Sequence, residues 1–178
     1  KDNEKKINLG TLALLSWYQS FLEISVLIFI VVADCPNGFT RHDESCYVIN
    51  RVLATWAQAS IYCHAIQAEL VSIESQAEDT FLRGYLQNEG SKYDHPRFWV
   101  GGSDLLKEGE WTWTKTGSVI GSHGFSHWAP GQPNNGGHLD EHCMELEAGT
   151  NWFWNDDECE NRKNFICEKS LYDTTIIG

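Results

Sequence analysis

The chain has 178 residues, 42% of them hydrophobic and 21% charged, and a formal net charge of -12. That length holds one globular domain with an appendage and can bury a proper core, while eight Trp and eight Phe exclude a disordered chain. The carboxylate surplus excludes a nucleic-acid partner, whose phosphates call for clustered Lys and Arg.

Residues 1–33 form a leader unlike the rest. Lys5 and Lys6 precede an apolar stretch from Leu9 to Ala33, densest over Ile24–Val32, and Val31 and Ala33 suit the last positions before a cleavage point. This is the pattern of a signal peptide, with Asp34 as the mature start. A membrane anchor is the competing reading, because Thr11–Ala33 approaches the roughly 20 residues that span a bilayer; a buried core helix is the third. Cleavage is favoured because Ile24–Val32 is too short to span alone, so a secreted protein with no stable membrane insertion is expected. The leader's charges cancel, and the remainder keeps the whole -12. Six cysteines without a Cys-x-x-Cys pair, in an exported chain, read as three disulfides rather than a zinc ribbon or redox site.

From Cys35 onward no linker or repeat breaks the chain, and one domain is expected over 34–170, with a short tail at 171–178. Cys46–Ile49 reads as a strand. Thr55 with Gln58 forms a capping box ahead of Trp56, Ala59, Cys63 and Ile66, which share a helical face. Leu70–Ile73 is a short strand or connector. Ser75 with Glu78 repeats the capping device ahead of Phe81, Leu82, Tyr85 and Leu86. Strands are expected at Phe98–Val100 and Glu110–Thr114, followed by a Gly-, Ser-, His- and Pro-rich stretch from Gly117 to Gly137; such a long irregular segment usually has a function. Strands resume at Cys143–Leu146, Trp152–Trp154 and Phe165–Cys167. Two helices and then small antiparallel sheets with a long excursion make an α+β domain.

Several motifs in order now resemble the C-type lectin family over about residues 35–169: Trp99-Val100-Gly101-Gly102, Trp128-Ala129-Pro130-Gly131-Gln132-Pro133-Asn134, Glu141-His142-Cys143, Trp154-Asn155-Asp156, and the closing Cys159 and Cys167. The layout is similar to secreted invertebrate lectins, the perlucin type of mollusc shell among them. Six cysteines by themselves allow fifteen pairings; the resemblance implies Cys35–Cys46, Cys63–Cys167 and Cys143–Cys159.

The resemblance also implies a calcium site at Gln132, Asn134, Glu141, Asn155 and Asp156, the same residues meeting the carbohydrate, with a cis Gln132–Pro133 bond turning the flanking side chains inward. Five side-chain oxygens and the Asp156 carbonyl would make about six ligands and leave about two positions for adjacent sugar hydroxyls. Charge agrees, since residues 140–160 hold eight carboxylates and no Lys or Arg. The family's mannose-type loop reads Glu-Pro-Asn and its galactose-type loop Gln-Pro-Asp; Gln132-Pro133-Asn134 has half of each. His138 is a further candidate against a sugar face. The auxiliary calcium site of the family is poorly matched, because Asn135 and His142 stand beside Asp104 and Glu108 where carboxylates are expected, and no second ion is predicted. The Trp residues at 99, 111, 113, 128, 152 and 154 read as core.

Zinc is a rival on the strength of two His-x-x-x-His pairs, His123/His127 and His138/His142, but glycines and Pro130 disrupt the helix such pairs need, and no His-Glu-x-x-His is present. No nucleophile elbow, free thiol or phosphate loop suggests an enzyme. The expected function is calcium-dependent glycan binding in innate, non-self recognition, with multivalency through homo-oligomers as a route to avidity. The alternatives are a structural protein of calcium mineral, as in shell matrix, and a calcium-independent protein-binding module.

Overall fold

The computed structural model describes residues 34–89, 92–93, 96–121, 124–137 and 140–172; the leader, His123 and His138 lie outside the described residues. The chain opens with a hairpin of β1 (Thr40–His42) and β2 (Ser45–Ala54), turned at Asp43 with φ 49° and tied to the preceding segment by Cys35–Cys46. Helix α1 (Trp56–Ala65) starts where the sequence predicts: Thr55 Oγ1 accepts from the Gln58 amide, and the Gln58 side chain accepts from the Thr55 amide. Its inward face is Ala59 and Cys63, both fully buried.

Helix α2 (Gln76–Glu89) follows the short β3 (Glu69–Leu70). Ser75 Oγ accepts from the Glu78 amide as expected, but the Glu78 carboxylate reaches the Glu74 amide, one residue before the position a capping box uses. Leu82 and Leu86 carry its apolar face into the core.

The strands join into one sheet of order β1-β2-β8-β4-β6-β7, where β4 is Arg97–Ser103, β6 is Cys143–Glu147, β7 is Trp154–Asp157 and β8 is Lys163–Ser170. Strand β3 pairs with β8, and β5 (Thr112–Trp113) pairs with β4. All pairings are antiparallel except β4 with β8, which run parallel through Phe98–Asn164 and Trp99–Phe165. Both are central and buried along nearly their whole length, as strands covered on both faces must be. Cys63–Cys167 then staples α1 to β8.

The glycines of the Trp99–Gly102 tetrapeptide have a steric reason. A Cβ on Gly101 would sit 2.8 Å from the Leu70 carbonyl oxygen, and one on Gly102 would sit 2.6 Å from Met144 Cε. The predicted core tryptophans are buried at 99, 111, 113, 152 and 154, while Trp128 packs against that cluster half-buried.

Two sequence expectations need adjustment. Glu110–Thr114 contributes only two residues to the sheet. Strand β7 begins at Trp154 rather than Trp152, because a 3-10 turn over Ala148–Thr150 leads into Asn151 and Trp152 with φ 60° and 65°. Alternation of aromatic residues suggested the earlier start; the left-handed turn breaks it.

Candidate functional site

The long excursion after β5 is fastened to the sheet from below. Trp128 bridges Trp154, the Ala129 amide donates to the Trp154 carbonyl at 2.8 Å, and the Trp154 amide donates to the His127 carbonyl at 3.0 Å. His127 Nδ1 lies 2.6 Å from the buried Asp79 Oδ2 on α2. This brings the Gln132–Pro133–Asn134 turn, with its cis peptide bond, over the end of β7.

Asp156 is the hub. It is 1% exposed, and its carboxylate accepts from the amides of Asn134 at 3.1 and 2.9 Å and of Asn135 at 2.7 Å. Asn134 Oδ1 accepts from the Gly136 amide at 2.7 Å, and Asn135 Oδ1 accepts from the Glu141 amide at 2.9 Å. The Glu141 carboxylate packs on Gly136, whose φ is 45°; a Cβ there would overlap the carboxylate. Glycine is needed on both counts.

Burial pushes the Glu141 carboxyl above its ordinary value, and Asp156, Asp157 and Glu158 add to the rise. Gln132 Oε1 is buried and has no hydrogen-bond partner. An orphaned amide oxygen and two mutually repelling carboxylates suit a hard cation, which takes amide, carboxylate and carbonyl oxygens alike.

Asn155 is held from behind. Its Nδ2 donates to Glu145 Oε1 at 2.9 Å and to the Asp156 carbonyl at 2.8 Å. Its NH₂ is thus engaged within the protein, and Oδ1 remains for a ligand. The Asp156 carbonyl, expected as a ligand, already accepts that donor.

Sequence reasoning missed the support beneath. Glu145 is fully buried, and Lys163 Nζ donates to it at 2.5 Å and also to Asp157, with Arg97 Nη1 at 3.8 Å from Glu145. Burial raises the Glu145 carboxyl, and Lys163, Asn155 and Arg97 pull it back. The available signal was phase: Glu145 stands two residues from Cys143 in β6 and so shares its inward face.

The structure therefore gathers Asn134, Glu141 and Asp156 at one turn and places Asn155 next to them on β7, with Gln132 two residues before Asn134. His138 lies outside the described residues. Of the four histidines in the zinc reading, the two described ones part company: His127 pairs with Asp79, and His142 with Asp104. The six cysteines are joined as Cys35–Cys46, Cys63–Cys167 and Cys143–Cys159, with Cα separations of 5.6, 5.5 and 5.2 Å. Among the described residues no helix is long and apolar enough to cross a membrane.

Comparison with known proteins bears on the whole of this domain. The family model "Lectin C-type domain" matches residues 52–169. Perlucin of Haliotis laevigata is 38% identical over 136 residues, covering 76% of this chain and 83% of perlucin. The galactose-specific lectin nattectin of Thalassophryne nattereri is 34% identical over 143 residues, covering 78% of this chain and 82% of nattectin. Among solved structures, a calcium-independent type II antifreeze protein superimposes with a TM-score of 0.64 at 28% identity, covering 77% of this chain and 95% of that one.

Proposed function

The chain belongs to the C-type lectin family, and we propose that it is a secreted, non-catalytic protein that binds glycans through a calcium ion held by Gln132, Asn134, Glu141, Asn155 and Asp156. The observation that carries this reading is the gathering of Asn134, Glu141 and Asp156 at one turn, where burial and neighbouring carboxylates already make the Glu141 charge costly. Calcium, when bound there, would offer coordination positions that neighbouring sugar hydroxyls fill. The protein's own part is to set donors against acceptors: Gln132 and Asn134 are amides and Glu141 is the chief acceptor. That mixture selects neither mannose-type nor galactose-type diols outright, and it carries one carboxylate fewer than a Glu-Pro-Asn loop. Calcium dissociation constants of about 10⁻⁴–10⁻³ M are expected, in keeping with extracellular modules. Three disulfides support an oxidising, extracellular setting, and microbial surface glycans are the proposed partners.

Retention on immobilised sugars tests the reading. The purified protein should bind in millimolar calcium, elute with a chelator and bind again when calcium returns. Asp156→Ala and Asn155→Ala should lose retention while circular dichroism shows an unchanged fold. Retention that survives both substitutions overturns the ligand set.

One observation favours a second reading. Asp156 and Asn134 already accept backbone amides within the turn, so the loop holds together by protein hydrogen bonds. A calcium-independent binding or mineral-associated protein could use the same scaffold. Such a protein would keep its partner in chelator and in excess free sugar.

A further inference from the structure

We propose that Asp104, Glu108 and His142, at the place of the family's auxiliary calcium site, hold a borderline cation of the zinc type rather than calcium. The three come from different segments: Asp104 follows β4, Glu108 lies in the turn after it, and His142 leads into β6. His142 Nδ1 stands 3.0 Å from Asp104 Oδ1 and 3.4 Å from Glu108 Oε2, and the three ligand atoms all lie within 4.8 Å of one another. Ligands at about 2.0–2.2 Å from zinc in tetrahedral array are roughly 3.3 Å apart, close to the two separations measured from His142 Nδ1.

The oxygens left over are each held by a protein donor. The Gly109 amide donates to Asp104 Oδ2 at 2.8 Å, and Asn135 Nδ2 donates to Glu108 Oε1 at 2.7 Å. The Asp104 amide also donates to the His142 carbonyl at 3.3 Å, fixing the two ligand-bearing segments against each other. Outer hydrogen bonds of this kind orient metal-binding carboxylates and sharpen affinity. Asp104 is buried, whereas the Glu108 side chain is 59% exposed and that of His142 26%, so ions can enter and a water can take a fourth position.

Ligand type decides the ion. An imidazole nitrogen suits zinc and its transition-metal neighbours and is a poor partner for calcium, which wants six or more oxygens. None of the three residues belongs to the proposed calcium set, although Asn135 links the two places: it donates through Nδ2 to Glu108, accepts the Glu141 amide at Oδ1 and donates its own amide to Asp156. The competing account of the same distances is a protonated His142 bridging two carboxylates, and metal binding separates the two.

Tag-free protein titrated with Co²⁺ in excess calcium should take up one equivalent with the intense visible d–d bands of a four-coordinate site. Zn²⁺ should displace it, and further calcium should not. Glu108→Gln, at an exposed position, should weaken Co²⁺ and Zn²⁺ binding at least about tenfold, and His142→Asn should abolish the bands. The His142 ring resonances of the unaltered protein should shift on Zn²⁺ addition, a readout independent of any variant's folding. Absence of stoichiometric uptake, displacement by calcium, or unchanged binding in Glu108→Gln would each overturn the site.

Discussion

Burial, and then the charges of Asp156, Asp157 and Glu158, push the Glu141 carboxyl above its ordinary range, with Lys163 pulling it back. The sign of the consequence follows from linkage. A carboxyl whose folded pKa is raised favours the protonated fold, and its contribution is lost as pH rises through that folded value. A cation beside Glu141 offsets the loss, and protons compete with it. The stabilisation expected from calcium at the proposed site, read as a rise in Tm, should therefore shrink on acidification, starting above the usual carboxylate range. Glu141→Gln should make the rise smaller and nearly independent of pH over the same interval. A calcium-induced Tm shift in the unaltered protein that stays constant from neutral pH into the carboxylate range would remove Glu141 from the ligand set. Asn155 belongs to the same scale: its amide orientation comes from Glu145, and Glu145 is tolerated in the interior because Lys163 neutralises it.

Strands β6 and β7 form the rigid floor of the site. Their register sets Glu145 opposite Asn155 and Met144 opposite Asp156, and Cys143–Cys159 closes the loop that contains both strands. Removing that bridge by Cys143→Ala with Cys159→Ala should cost about 2–5 kcal/mol of stability, visible as a lower midpoint in denaturant. Because Asn155 and Asp156 lie inside the closed loop, calcium affinity measured by calorimetry should fall as well. Unchanged affinity in the folded double variant would show that β-sheet pairing alone positions these residues. The neighbouring β4 contributes by close approach: Gly101 lets the strand pass against the Leu70 and Val71 carbonyls, backbone that cannot give way.

For the molecule as a whole, pH acts through a second carboxyl far from the loop in the chain. Glu78, at the start of α2, receives the Tyr47 hydroxyl of β2 at 2.7 Å. Burial lifts its pKa from 4.5 to about 7 despite that bond and the Glu74 amide, and the same burial, with Glu78 beside it, raises Tyr47. Folding thus prefers protonated Glu78. Its contribution is complete below the unfolded value and is lost as pH rises to about 7. Thermal unfolding in chelator should show Tm falling across that window, and Glu78→Gln should flatten the fall. Parallel profiles for the two proteins would assign the slope to other groups. On the proposed reading, a single sugar site per domain would bind weakly, and several copies on one glycan surface would raise the affinity.

Much of this was legible along the chain because it is local. Thr55 and Gln58 announce α1 through a reciprocal cap that needs only three residues of separation, and the spacing of Trp99–Gly102, Gln132–Asn134, Glu141 and Trp154–Asp156 carries the family resemblance. What is non-local was not legible. The parallel pairing of β4 with β8 joins segments more than sixty residues apart in register, and the turn at Trp152 overrides an aromatic alternation that looked like strand. The buried Glu145–Lys163 pair leaves no periodic trace, since it depends on which strands become neighbours; the grouping of Asp104, Glu108 and His142 is implied by the family resemblance alone, and only the fold sets His142 Nδ1 against both carboxylates. The sequence by itself determined the family, the helix starts and the identity of the oxygen-bearing side chains, all written in short-range chemistry. Only the tertiary structure decided which of those oxygens meet, which are already taken by backbone donors and which histidine faces carboxylates, because those depend on distances that folding alone creates.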